Sequence, residues 1–259
     1  MTGAALRIIA DDYGIAPATD VAIRTLLTAA KIDGTGCMTL FPEWPRAAQA
    51  LRSQALPPDA EIGLHLTLTD FAPLAGESPV GGTGRLPSVG RLILASLSSR
   101  LDERALAREL DAQLQAFVAA FGRHPDFIDG HQHVHFLPPV RRWLVARREA
   151  MGSTLPWLRG EPATGMSPDW RSAAKIRIVA AMARGFDAAM RRAGFTVRGP
   201  LTGFYDWQRA GDFAGLLRRS AAASNGVFMC HPGQVDDVLV GRDKLTAQRQ
   251  TEFELLLRR

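Results

Sequence analysis

The sequence predicts an α/β protein in which a parallel sheet of about seven strands closes into a barrel. Three observations point there. Short apolar runs alternate with longer stretches of helical periodicity, the mark of strand–helix–strand units. The conspicuous polar residues fall at the C-terminal ends of those runs, the face on which such barrels carry their sites. No internal repeat and no linker divides the 259 residues, so a single domain over 1–259 is expected.

Taken in order, LRIIA (6–10) reads as a buried strand followed by Asp11-Asp12. Residues 17–31 read as a helix, with Pro17 suited to its first turn and Val21, Ile23, Leu26 and Leu27 forming its apolar face. GTGCMTL (34–40) is the second strand and 45–55 a short helix. EIGLHLTL (61–68) alternates: Ile62, Leu64, Leu66 and Leu68 share one side, Gly63, His65 and Thr67 the other. A Gly- and Pro-rich stretch, 70–91, follows; so long a connection inside a compact domain suits a lid over a site.

A long helix is expected over 102–121 with Gly122 as its stop. DFIDGH (126–131) is the next strand, 138–150 a helix opening on two prolines, and 155–159 a strand. One helix is expected over 172–193, ending at Gly194. Strands near 195–198 and 201–205, a helix over 211–223, the strand VFMC (227–230) running into HPG, and a helix over 244–257 complete the chain.

Composition narrows the function. Two cysteines, Cys37 and Cys230, make no disulfide framework, and no leader-like or membrane-spanning run is read, so a cytoplasmic protein is expected. The net charge of +5 is spread over arginine pairs such as Arg141-Arg142 and Arg191-Arg192 within helical stretches. Such pairs make solvated helix faces, and no basic–aromatic stripe suggests a nucleic-acid groove.

The chemistry gathers at strand ends: Asp11-Asp12, His65, Asp129 with His131, Arg159, Tyr205-Asp206 and His231. The octet DGHQHVHF holds three of the six histidines, and alternation would set His131, His133 and His135 on one side of a strand. Two histidines and a carboxylate suit a divalent metal with open positions. His65, His131 and either aspartate of the pair are the candidates. Both aspartates reach one site only if the strand bends, and Gly14 allows that bend. His133 and His135 are expected beyond the strand, and His124, before Pro125, on the surface. Arg159 ends a strand, where it could hold Asp11 ionised or lie on the surface. Tyr205, Trp207 and Trp157 lie near strand ends, where they could line a site or simply pack in the core.

The motifs IIADDYGIAP, GLHLTLTD, DGHQHVHFLP and CHPG, in that order over 6–233, resemble those of the YdjC-like carbohydrate deacetylases. The resemblance implies a distorted, TIM-barrel-like (β/α) barrel and a metal-dependent hydrolase that removes N-acetyl groups from amino sugars, whether oligosaccharide or glycolipid. It assigns one divalent ion, Mg or Zn, to Asp12, His65 and His131. Asp11 becomes the general base and His231 the general acid. From their positions near strand ends, Arg159, Asp129, His133, Tyr205 and Trp207 are candidates for supporting or substrate-binding roles, Tyr205 and Trp207 by stacking on a sugar ring. The implied partner is a small amino-sugar substrate, free or lipid-linked, with a homodimer left open.

Two positions depart from the family pattern. Ala16 stands where a capping serine is usual, a change worth ~1 kcal/mol. Gly130 stands where Asp-Ser-His is usual, removing a hydroxyl beside the metal. Two other readings remain. An amidohydrolase-like barrel also uses Asp-x-His-x-His, but on its first strand. A non-catalytic metal- or sugar-binding protein would have no use for Asp11 and His231.

Overall fold

The computed structural model describes residues 6–82, 84–98, 100–152, 154–165, 169–207, 212–223 and 226–259. In chain order the elements are β1 (Arg7–Tyr13), α1 (Pro17–Thr28), β2 (Gly34–Cys37), α2 (Trp44–Arg52), β3 (Glu61–Leu66), α3 (Val89–Ser96), α4 (Glu103–Phe121), β4 (Phe127–Gly130), α5 (Pro138–Ala146), β5 (Trp157–Arg159), α6 (Trp170–Ala183), α7 (Phe186–Arg192), β6 (Val197–Arg198), β7 (Leu201–Thr202), α8 (Asp212–Ala223), β8 (Val227–Cys230), α9 (Asp237–Arg242) and α10 (Thr246–Leu257).

The strands form one parallel sheet in the order β6-β5-β4-β3-β2-β1-β8-β7. Its two edges meet. Beyond β5 the chain continues alongside β7: Pro162 bridges Leu201, the Ala163 N–H donates to Leu201 O, and the Leu201 N–H donates to Glu161 O, each at 2.9 Å. β5 pairs with β6 in the same register, so β6 and β7 are two halves of one stave on either side of the cis Gly199–Pro200 bond. The sheet therefore closes as seven staves, which matches the expected strand number.

The helices cover the outside of the sheet. α1 turns Ala22, Ile23, Leu26 and Leu27 inward, each fully buried. Burial of each large aliphatic group contributes ~1.5–3 kcal/mol. α4 runs as expected between a capping Asp102, which accepts from the Arg104 and Ala105 N–H groups, and Gly122. The helix expected over 172–193 is two helices. Gly185, at φ +73°, breaks it after Arg184, because an L residue resists that conformation. α3 and α9 were not anticipated. The helix start at Ala16 has no side-chain cap of its own, but Asp236 accepts from the Ala18 N–H at 2.9 Å and supplies one from a distant loop. Residue 211 of the helix expected over 211–223 lies outside the described residues.

Candidate active site

β1 runs further than the apolar run alone suggests and carries both aspartates. Ala10 pairs with Thr35 and Tyr13 with Cys37, so Asp11 and Asp12 together oppose the single residue Gly36. This two-against-one bulge, with Asp12 at φ +68°, turns two neighbouring side chains toward one site. Gly14 takes the expected bend, at φ +97°, and Asp12 adds a second left-handed turn two residues earlier. A left-handed non-glycine residue is strained, and such strain gathers at functional positions. Both carboxylates are buried.

β3 presents His65 to the same point. Its Nδ1 faces Asp129 Oδ1 on β4 at 2.6 Å, and its Nε2 lies 3.3 Å from Asp12 Oδ1. With Nδ1–H donating to Asp129, Nε2 is the atom that would offer its lone pair to a cation beside Asp12. Gly36 makes room: a Cβ there would meet His65 Nδ1 at 3.1 Å and Asp129 Oδ1 at 3.3 Å.

The histidine octet is not a strand. β4 stops at Gly130, and residues 131–136 wrap into a 3₁₀ turn with Gln132 and His133 in the left-handed region. The three rings therefore part. His131 Nδ1 lies 3.0 Å from Asp12 Oδ1. His133 lines the cleft beside it. His135 packs under Phe136 and Phe186. The turn also explains the departure at Gly130, where a Cβ would sit 2.9 Å from both His135 N and a Val134 methyl.

Asp12 Oδ1, His65 and His131 each offer a ligand atom, all within 4.8 Å of one another. A carboxylate oxygen and two imidazole nitrogens converge this closely only around protons or a cation. The donor set fits a borderline divalent ion. The far oxygen of Asp12 is held by Arg249.

Asp11 is gripped at both oxygens by Arg159, Nη1 to Oδ2 at 2.8 Å and Nη2 to Oδ1 at 2.5 Å. Arg159 also pairs with Asp129 Oδ2, tying the Asp11 and His65 branches together. Burial alone would push the Asp11 carboxyl up; Arg159, with His65 and His231, outweighs it and holds the group at about 2. Burial also opposes ionisation of Asp12, yet His131 and Arg249 keep it well below the usual carboxylate range. Burial pulls His65 down, but Asp129 and Asp11 outweigh it and raise the ring to about 10 in the metal-free protein.

His231 follows β8, its Nε2 3.9 Å from Asp11 Oδ2. Burial lowers its ring to about 4 against the pull of Asp12 and Asp11. Its backbone N–H donates to Glu252 Oε2 at 2.5 Å, and the same carboxyl takes the Tyr205 hydroxyl. Trp207 stands edge-on to His231 with ring centroids 5.9 Å apart, and Lys175 Nζ lies 3.7 Å from the Trp207 centroid.

These groups open into one cleft of about 780 Å³, lined by Asp11, Asp12, His65, His131, His133, Trp207 and His231. The 70–91 segment borders it with Asp70, Phe71, Arg85 and Val89. Its other side is pinned: Glu109 accepts from the Leu74 and Ala75 N–H groups at 3.1 and 2.7 Å. Tyr205 is packed behind His231 rather than in the cleft, and Trp157 lies away from it, stacked on Phe127 at 4.6 Å. His124 accompanies Gly152 and takes no part in the cleft.

Sequence reasoning missed Arg249 and Glu252. Both sit on the buried face of α10 with Phe253 and Leu256. Charges at i and i+3 on a helix face that otherwise reads apolar are the signal that exposes them.

The chain is 29% identical over 257 residues to a chitooligosaccharide deacetylase of Enterobacter sp. (strain 638), covering 97% of this chain and 90% of that one. It is 24% identical to a carbohydrate deacetylase of Halalkalibacterium halodurans, covering 98% and 95%. A crystal structure from Enterococcus faecalis V583 shares the fold with a TM-score of 0.69 at 23% identity, covering 98% of this chain and 91% of that one. The family model for YdjC-like protein matches residues 5–259. The chain belongs to the YdjC-like protein family.

Proposed function

We propose that this protein is a divalent-metal-dependent hydrolase that removes the N-acetyl group of an amino sugar and releases acetate. The observation that carries the reading is the division of labour within the bulge. Asp12 faces two histidines, while its neighbour Asp11 faces Arg159 and His231 across the same cleft. The deacetylase relatives support the same chemistry.

Asp12, His65 and His131 would hold the ion. Bound there, it supplies Lewis acidity toward the acetyl carbonyl and lowers the pKa of water toward ~7. Asp11 takes the proton of the attacking water as the new C–O bond forms. Each Asp11 oxygen accepts one bond from Arg159 and keeps a lone pair for that proton. The C–N bond then breaks, and His231 delivers a proton to the departing amine. With its ring held to about 4, His231 starts without a proton at neutral pH, so the one it donates is the one Asp11 has taken. The 3.9 Å between them exceeds a hydrogen bond, and catalytic contacts of this kind tighten when substrate binds. Trp207 offers an apolar ring face beside the leaving group. The 70–91 segment forms a cleft wall that acts as a lid, and the substrate is an amino sugar, free or lipid-linked.

The test is acetate release from a panel of N-acetylated oligosaccharides, glycolipids and nucleotide sugars, with Mg²⁺ or Zn²⁺ restored after chelation. Metal-dependent release from at least one is expected. His231→Ala should retain metal and slow substrates with poor leaving groups most. Release that is indifferent to chelation, or its absence across the panel, would overturn the reading.

A further inference from the structure

The outward faces of α3 and α6 are of the wrong chemistry for helices that meet only water. Among the described residues, five bulky apolar side chains are more than 60% exposed: Leu94, Leu97, Trp170, Ile178 and Val240. Four of the five belong to these two helices and the residue capping α3. On α3 the exposed strip reads Arg91, Leu94, Leu97; on α6 it reads Trp170, Ala174, Arg177, Ile178, Ala181. Their spacings place each set along one side of its helix. Both helices also line the catalytic cleft, α3 through Val89 and Ile93, α6 through Lys175, Ile178, Val179 and Met182. The two strips therefore flank its mouth.

The charges on this rim have one sign. Neither helix contains an aspartate or glutamate. α6 exposes Arg171 and Arg177, and Arg91 stands exposed on α3, while Lys175 turns into the cleft against Trp207. Acidic groups come only from outside the helices: Asp169 caps the start of α6, and Asp206 lies 3.8 Å from Arg171. Exposed Leu, Ile and Trp interleaved with arginine is the composition of helices that lie in a membrane interface, where apolar side chains enter the acyl boundary and cations meet anionic headgroups. A second copy of the chain docking through this rim would bring two cationic faces together.

We propose that the α3–α6 rim is a docking surface for a bilayer bearing anionic headgroups, which sets the mouth of the cleft at the membrane surface. This goes beyond the deacetylase reading and does not depend on it. Leu94, Leu97 and Trp170 do not line the cleft.

The experiment is co-sedimentation of the full chain with vesicles of phosphatidylcholine alone and of equal parts phosphatidylcholine and phosphatidylglycerol. The wild type should pellet with the anionic vesicles. The double variant Leu94→Glu/Leu97→Glu, and separately Trp170→Ser, should bind about tenfold more weakly or worse. Circular dichroism should show both folded, since the substituted side chains are exposed. Added salt should weaken binding. Acetate release from a soluble substrate should be unchanged in these variants, and the vesicle assay needs no turnover, so it stands if the enzymatic reading fails. Wild-type protein that stays in solution with both vesicles, or variants that pellet equally well, would overturn the proposal. So would a dimer in light scattering that Leu94→Glu dissociates while no vesicle binds.

Discussion

Arg249 donates to Oδ2 of Asp12 from a helix 237 residues further along the chain, and both side chains are buried. The same guanidinium holds Asp243, so one cation fixes the outer oxygen of the proposed metal ligand and leaves Oδ1 to the histidines. Arg249→Met strands these carboxylates. It should destabilise the metal-free protein by about 3–5 kcal/mol, the usual cost of breaking a buried ion pair. Thermal denaturation with and without divalent metal checks this. Added metal should recover part of the loss, because Asp12 again faces a cation. An unchanged melting temperature would show that the pair contributes nothing.

The two aspartates of the bulge should separate cleanly. Asp11→Asn is expected to keep metal and fold while losing roughly 10²–10⁴ in kcat, the range for a missing general base. Asp12→Asn should weaken metal binding, with excess metal restoring part of the rate. Elemental analysis alongside kcat distinguishes them; a metal-free Asp11→Asn beside a metal-replete Asp12→Asn would reverse the roles.

Glu252 gives a pH signature. Burial raises its carboxyl from 4.5 to about 7, against the hydrogen bonds it accepts from Tyr205 and the His231 N–H. Between those values the folded protein holds a proton that the unfolded chain has released. Its contribution to stability is therefore full below 4.5 and is lost as the pH rises through about 7. Glu252→Gln removes this titration. Denaturant midpoints should fall more steeply for the wild type than for the variant between about pH 5 and pH 8. Asp20, also raised to about 7 by burial, leaves a residual slope in both.

The cleft wall formed by 70–91 hangs on Glu109, whose carboxyl takes two of its backbone N–H groups and is itself reached by Gln113 Nε2 at 2.7 Å. Glu109→Ala should speed amide exchange at Leu74 and Ala75 and raise KM by about threefold to tenfold, with metal content unchanged. If exchange accelerates while KM stays put, the segment is a wall with no hold on substrate.

What the sequence disclosed divides along physical lines. Strands such as EIGLHLTL are legible because their two sides differ in polarity, Ile62, Leu64, Leu66 and Leu68 on one and Gly63, His65 and Thr67 on the other, although both sides are buried. Asp11, Asp12, His65, His131 and His231 are legible because a parallel barrel carries every strand end to one rim. Periodicity fails where the backbone leaves regular geometry. The left-handed residues at Asp12, Gln132 and His133 have no composition signal, so the alternation expected of His131, His133 and His135 breaks down. Tyr205, read as a sugar-stacking candidate, instead meets a carboxylate from α10. That partner lies 47 residues away in sequence, where no local pattern can announce it.

The position of β1 carries a consequence for biosynthesis. β1 precedes the other strands of the sheet in the chain yet is a central one, hydrogen-bonded to β2 on one side and to β8 on the other. As the ribosome releases the chain, β1 can find β2 at once but must wait for residues 227–230 before its second edge is covered. Until then an unpaired strand edge persists, the kind of surface on which nascent chains associate wrongly. Asp12 waits longer still for one of its partners, Arg249. Barrel closure is thus a late event of translation, and a chain stalled before β8 has an open sheet edge and an Asp12 whose outer oxygen still lacks Arg249.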